Sequence, residues 1–272
     1  MAVKKGLIGF LWYCLISVIL IVFLSPLLWM IISSLKTQSQ NITFPPVLLF
    51  RPYFQNYINV FTQVPFFKYI CNSIIVAIAT TGLALVFGLP AAYSISRYHQ
   101  KSLAFTALIG RIAPGISFVL PLYILFSHLK LIDTYPALIS THLIRILPLV
   151  IWIMVGFFDD LPTDLEDAAR IDGCSILGSF FRVALPLTTP GIAAAAILCF
   201  IFSWNDFLFA LILTGNKAKT LPVAAYSFIG YGEIDWGGLT AAATVITLPA
   251  LTLALFIQKH IVKGLTFGAV KG

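Results

Sequence analysis

Residues 7–32 read LIGFLWYCLISVILIVFLSPLLWMII, 26 consecutive positions without a charge between Lys5 and Lys36. As an α-helix rising 1.5 Å per residue, this run is about 39 Å long, more than the roughly 30 Å of hydrocarbon in a bilayer. A helix is the default there, because backbone polar groups in lipid must be satisfied within the segment. Lys4 and Lys5 ahead of the run resemble the start of a signal peptide. The run is too long for an h-region, however, and no small-x-small cleavage site follows, so it is expected to be retained. The pattern then repeats along the chain. Tyr69–Ile95 and Gly238–Gln258 carry no charge, Ser102–Phe126 carries only Arg111, Thr134–Phe158 only Arg145, and Leu187–Thr214 only Asp206. The expectation is an all-α polytopic membrane protein. Its six transmembrane helices lie at about 7–32, 69–95, 102–126, 134–158, 187–214 and 238–258, within a single domain over 1–272.

Composition excludes the soluble classes. The 272 residues are 60% hydrophobic and only 10% charged, whereas soluble domains carry about a quarter charged residues. The net charge of +7 comes with no basic patch interleaved with aromatics, so nucleic acid is not expected as a partner and membrane lipid is. Lys and Arg report orientation instead. With the N-terminus inside, nine fall in inside segments and six outside, omitting Arg111 and Arg145 within spans. Both termini are therefore expected in the cytoplasm, with 159–187 inside and 33–68 and 215–237 outside. Cys14, Cys71, Cys174 and Cys199 form no disulfide framework. No G-x-x-x-x-G-K-[ST], H-E-x-x-H or paired-cysteine motif occurs. The chain is expected to hold no ATP, no metal and no catalytic residue of its own, so its energy must come from a partner or an ion gradient.

The 159–187 loop is the most informative connection. Six of the ten acidic residues fall within Asp159–Gly173, which reads DDLPTDLEDAARIDG. Thr163 with Glu166 three positions later matches a capping box, so a helix is expected to start at Asp164. Asp164, Glu166 and Asp167 suit the positive end of its dipole. Gly173 is placed to end it in a left-handed cap. Ser175 can cap a second short helix running through Val183 and stopping before Pro186. Leu165, Ala168, Ala169 and Ile176 then give a surface on which another protein can rest. A helix lying on the bilayer is the competing interpretation. The acidity weighs against it, since interfacial helices are usually basic.

Glu166-Asp167-Ala168-Ala169, then Asp172-Gly173, then Leu185-Pro186 resemble the EAA-type motif of bacterial ABC importer permeases, with Asp167 as an extra residue before the alanine pair. Variants of this kind resemble the carbohydrate-importer branch. Asn56-Tyr57, Tyr69 through Asn72-Ser73, Ala91-Ala92-Tyr93 before Arg97, Ser203-Trp204-Asn205-Asp206-Phe207, Leu221-Pro222 and the tail Gly264 to Gly272 are similar to stretches of maltose-type permease subunits. The resemblance implies that 159–187 is the coupling loop, with Leu165, Glu166, Asp167, Ala168, Ala169, Asp172, Gly173, Leu185 and Pro186 against a cytoplasmic ATPase subunit. It implies a bacterial inner-membrane heterodimer of two permeases, an ATPase dimer holding ATP and Mg²⁺, and an extracellular solute-binding protein. The binding protein would meet the 215–237 loop, whose aromatics include Tyr226, Tyr231 and Trp236. The tail, which composition alone marks as frayed, would enter the ATPase interface.

Charges inside spans are functional by default. Trp204, Asn205 and Asp206, with Arg111 and Arg145, are candidates to line a translocation path and meet a sugar. Equally, Asp206 can pair with Arg111 or Arg145 to hold the bundle together. A lone His142 is assigned a structural role. A stand-alone ion-coupled carrier is the alternative function, though it needs span carboxylates and Asp206 is the only one.

Overall fold

The apolar runs fold as helices in the computed structural model, which describes residues 2–109, 113–230 and 232–268. In chain order these are α1 (Ala2–Ser34), α2 (Gln38–Ile42), α3 (Gln55–Gln63), α4 (Phe66–Arg97), α5 (Lys101–Ile109), α6 (Ile116–His128), α7 (Tyr135–Asp159), α8 (Asp164–Ile171) and α9 (Ile176–Ser179). A π-helical turn follows over Phe180–Ala184, then α10 (Leu185–Leu187), α11 (Thr189–Trp204), α12 (Leu208–Leu213), α13 (Leu221–Tyr226) and α14 (Trp236–Gly268). Among the described residues, β-pairing is limited to an isolated bridge between Ile229 and Ile234. Four helical stretches are long and apolar enough to cross a membrane: Trp12–Ser34, Phe66–Arg97, Tyr135–Asp159 and Trp236–Phe256. A fifth candidate is the pair Ile176–Leu187 and Thr189–Trp204, bent by 77°.

Two of the six expected spans are therefore not single helices. In 102–126 the described residues hold two helices, α5 and α6, and the chain is not helical at 113–115. Pro114 disfavours the α conformation of the residue before it, which fits a break there. In 187–214 the break comes at Asn205–Phe207, where the Asp206 carboxylate accepts from the Phe209 N–H at 3.1 Å and caps α12. The C-terminal segment is helical as far as Gly268 rather than frayed from Gly264.

The chain forms two compact units, 1–66 with 224–247 and 67–223 with 248–272. In the first, Asn56 donates to the carbonyls of Ser34 and Lys36 at 2.8 Å each, closing the end of α1. The buried Lys36 ammonium lies 4.7 Å from the Trp29 ring centre and 5.3 Å from that of Phe50. Gln38 donates to Ile234 O at 2.6 Å and accepts from Trp236 N–H at 3.0 Å.

In the second unit, α4 and α7 run parallel. At one end Tyr135 donates to Asn72 at 2.7 Å, and at the other Arg97 donates to Phe158 O at 2.9 Å. The α5–α6 stretch must therefore return the full length between them. The same holds for α11–α12, which leads from Phe180 beside Tyr93 and Phe158 to Leu213, whose carbonyl accepts from Asp133 N–H at 2.9 Å. Apolar side chains gain little from meeting each other rather than lipid, so helix packing relies on small residues that let backbones approach. A Cβ on Gly88 would come within 2.7 Å of a Val150 methyl, and one on Gly191 would collide with the Phe157 ring.

The 215–220 turn is knotted to this unit by side chains. Asp133, in a left-handed conformation (φ 61°), accepts from the N–H groups of Gly215 at 2.8 Å, Lys217 at 3.1 Å and Ala218 at 2.9 Å. Asn72 donates to Lys217 O at 2.9 Å and Lys219 O at 2.8 Å, and Ser73 accepts from Leu221 N–H at 2.8 Å. Burial alone would raise the Asp133 carboxyl, but the N–H groups of Ala218, Lys217, Gly215 and Asn216 outweigh it and hold it below the ordinary 3.8. A depressed folded value means its stabilisation is complete above 3.8 and is lost as pH falls below that through the folded value. Asp133→Ala is expected to speed hydrogen exchange of the Gly215, Lys217 and Ala218 amides at least about tenfold at neutral pH, since bonds to a charged acceptor contribute about 1.5–3 kcal/mol. The gap between variant and parent should close below pH 3.8. Equal protection at neutral pH would show that the turn is held by other contacts.

Candidate functional site

The first helix of the 159–187 segment begins and ends at the expected residues. α8 starts at Asp164 and finishes at Ile171. Gly173, at φ +90°, closes it: Gly173 N–H donates to Arg170 O at 3.0 Å and Cys174 N–H to Ala169 O at 2.9 Å, the paired bonds of a Schellman motif. Ser175 caps α9, accepting from Gly178 N–H at 3.1 Å.

Two expectations for this segment are corrected. The capping box does not form, because Thr163 makes no side-chain cap bond and Glu166 turns inward. Its carboxylate accepts from Arg97 Nε at 2.8 Å, from a second Arg97 nitrogen, and from the Tyr93 hydroxyl. The second helix does not stop before Pro186 but runs through the π-turn and α10 to Leu187. The wider π-turn just before Pro186 relieves the clash its ring would otherwise make one turn back.

With Glu166 inward, α8 sorts by its 100° per residue. Glu166 is buried, Ala169 is half-buried, and Leu165, Asp167, Ala168 and Asp172 are exposed, with Ile171 87% exposed. Pro186 is exposed and Leu185 half-buried. Glu166 is thus removed from the surface set, and Asp167, bonded only loosely to Arg170 at 3.4 Å, becomes the acid beside the alanine pair that another molecule can reach. Ile171, Leu177 and Phe181 also present exposed apolar surface. The sequence reading missed them, although a helical wheel anchored on Glu166 would have placed Ile171 outward. A cleft of about 570 Å³ lies here, lined in part by Pro90, Tyr93, Arg97, Glu166, Arg170 and Leu177.

The span charges form a second cluster. Arg145 pairs with Asp206 at 2.5 Å, and its guanidinium lies 4.9 Å from the Phe209 ring centre. His142 Nε2 stands 3.5 Å from the other Asp206 oxygen, and its Nδ1 is 2.8 Å from Ser203 Oγ. The spacing is regular: His142 and Arg145 on α7 face Ser203 and Asp206 three residues apart opposite them. The Asp206 side chain is 7% exposed and that of Arg145 45%. Both line a cavity of about 260 Å³ together with His142 and Asn205. Of the path candidates, Trp204 is instead buried and stacked on Phe200, centres 5.7 Å apart. Arg111 lies outside the described residues. The pairing reading of Asp206 therefore holds with Arg145. The same pair tells against an ion-coupled carrier, whose one span carboxylate is already neutralised.

Among the candidates in 215–237, Tyr226 and Trp236 are exposed, and Tyr231 lies outside the described residues.

Comparison with known proteins adds an independent line. The family model of binding-protein-dependent transport system inner membrane components matches residues 84–267. The chain is 39% identical over 267 residues to the trehalose transport system permease protein SugB of Mycobacterium tuberculosis, covering 96% of this chain and 97% of that one. It is 37% identical over 261 residues to the trehalose/maltose transport system permease protein MalG of Thermococcus litoralis, covering 93% of each. In fold it matches a chain of a bacterial ABC transporter involved in the import of the acidic polysaccharide alginate, with TM-score 0.77, 20% identity, and 94% and 97% of the two chains covered.

Proposed function

Because this chain belongs to the family of binding-protein-dependent transport system inner membrane components, we propose that it forms half of the translocation path of an ATP-driven carbohydrate importer. The observation that carries the reading is the exposed, partly apolar face of α8 and α9, with Leu165, Ile171 and Leu177 outward, the Gly173 cap between the helices and the buried Glu166 behind. The carbohydrate class is supported by the trehalose and trehalose/maltose permeases to which the chain is similar along nearly its whole length. In this reading the residues form one permease domain in the bacterial inner membrane with both termini cytoplasmic, paired with a second permease. ATP and Mg²⁺ are held by a separate ATPase dimer, which takes Leu165, Asp167, Ala168 and Ile171 in its cleft. An extracellular solute-binding protein meets the loop carrying Tyr226 and Trp236. ATP closes the ATPase dimer, the 159–187 segment moves as a rigid body, and the path opens toward the loaded binding protein.

The experiment is gentle solubilisation of the tagged chain followed by affinity purification. An ATP-hydrolysing subunit is expected to co-purify, with hydrolysis rising when sugar-loaded binding protein is added. A chain that purifies with no nucleotide-binding subunit overturns the reading.

A further inference from the structure

The Glu166 cluster sits behind the exposed face of α8, at the wall of the cleft beside it. The last turns of α4 carry Tyr93, Ser96 and Arg97 on one side of the helix. Arg97 uses its Nε and a terminal nitrogen on one Glu166 oxygen, while Tyr93 donates to the other. The remaining Arg97 terminal nitrogen donates to Phe158 O at 2.9 Å, near the end of α7. The Glu166 side chain is 2% exposed and that of Arg97 13%. The Tyr93 ring packs on Phe158 and Phe180, centres 5.5 and 4.9 Å away. Beside them Ser96 donates to Asp159 at 2.5 Å, and Lys101 pairs with the same carboxylate at 2.9 Å. Three elements, α4, α7 and α8, therefore meet on one carboxylate and one guanidinium.

A buried ion pair is a poor device for stability, since apolar replacements of like volume are often neutral or better. Its fork geometry is directional, however, and fixes angle and rotation as a greasy contact cannot. Here that fixes α8 against the membrane-crossing helix α4. Resting on the reading of 159–187 as a lever, we propose that Arg97 and Tyr93 are positioning residues for energy coupling. Through Glu166 they hold α8 to α4, so that displacement of the docking face is delivered to α4 and not only along the chain into α11.

The test uses the whole purified complex in proteoliposomes with sugar-loaded binding protein, reading sugar carried per ATP hydrolysed. Arg97→Lys loses the fork while keeping the charge, and Glu166→Gln loses the charge while keeping the shape. Each is expected to lower the ratio about tenfold or more, with the ATPase still bound at its normal stoichiometry and hydrolysis without binding protein retained. Tyr93→Phe removes a single hydroxyl and leaves the ring packing, so it should lower the ratio about threefold. It also serves as the test should the charge variants not fold. An unchanged ratio in assembled Arg97→Lys and Tyr93→Phe complexes overturns the proposal. So does uptake that falls only in step with lost ATPase, because the cluster would then merely shape the docking surface. Failure of the underlying reading looks different: the unaltered chain would purify without any ATP-hydrolysing subunit.

Discussion

Gly173→Val is expected to cut sugar uptake by more than about tenfold while the associated ATPase continues to hydrolyse ATP. Gly173 sits at φ +90°, and forcing an L residue into left-handed backbone costs roughly 1–2 kcal/mol, more for a β-branched one. No atom lies within 4 Å of where its Cβ would stand, so the penalty is conformational and leaves the surrounding packing alone. The chain escapes by opening the bonds from Gly173 and Cys174 N–H to Arg170 and Ala169 O. α8 then loses its fixed angle to α9, and insertion into the membrane is unaffected. Gly173→Asn, which tolerates this backbone region, should recover much of the uptake. Uptake equal to the parent in Gly173→Val would mean that the segment does not act as a rigid lever.

Asp206→Ala carries the second large effect, on stability. It strands the Arg145 guanidinium inside a span and removes the neighbour of His142. Breaking a buried pair costs about 3–5 kcal/mol, and because Arg145 is half-exposed to its cavity the lower end of that range applies. The measurement is the thermal midpoint of the detergent-solubilised complex. The double variant Arg145→Met with Asp206→Leu should regain most of the loss, since no lone charge is left. Uptake by that double variant separates the two roles considered for these residues. Normal uptake marks the pair as a bundle tie alone, and recovered stability without uptake shows that sugar meets these side chains. A single variant as stable as the parent would show that solvent, not Arg145, balances Asp206.

The parts of the fold that could be read ahead are those fixed by local chemistry or by length. The uncharged runs marked where apolar helices fall, and the Gly173 closure of α8 follows from residues within a single turn, whereas its start at Asp164 was expected from a capping box that does not form. What escaped depends on partners far along the chain. Glu166 reads as a capping acid until Arg97, 69 positions earlier, supplies a stronger partner and turns it inward, reversing which residues of α8 face out. Arg97 and Tyr93 were visible only as a matched pattern, although their i,i+4 spacing on one helical face was a usable hint. Pro114 was a legible cause of the irregularity in 102–126, whereas the break at Asn205–Phe207 escaped because hydropathy measures apolar length and is blind to a cap such as Asp206. The tie between Arg145 and Asp206 stood as one of two open roles, since spacing alone cannot say which charges meet across helices.

The knot around Asp133 bears on how the protein is made. Its carboxylate is synthesised 82 residues before Gly215, its first partner in the turn, and Asn72 waits 145 residues for Lys217. At about 5–20 residues per second, the acid spends roughly 4–16 s without those N–H groups. A lone carboxylate is costly in lipid, so through that interval burial of the start of α7 is disfavoured. The closing turn can form only once the chain has been made through Ala218. Completion of the knot thus marks the start of α7 and the end of α12 as having reached the same end of this unit.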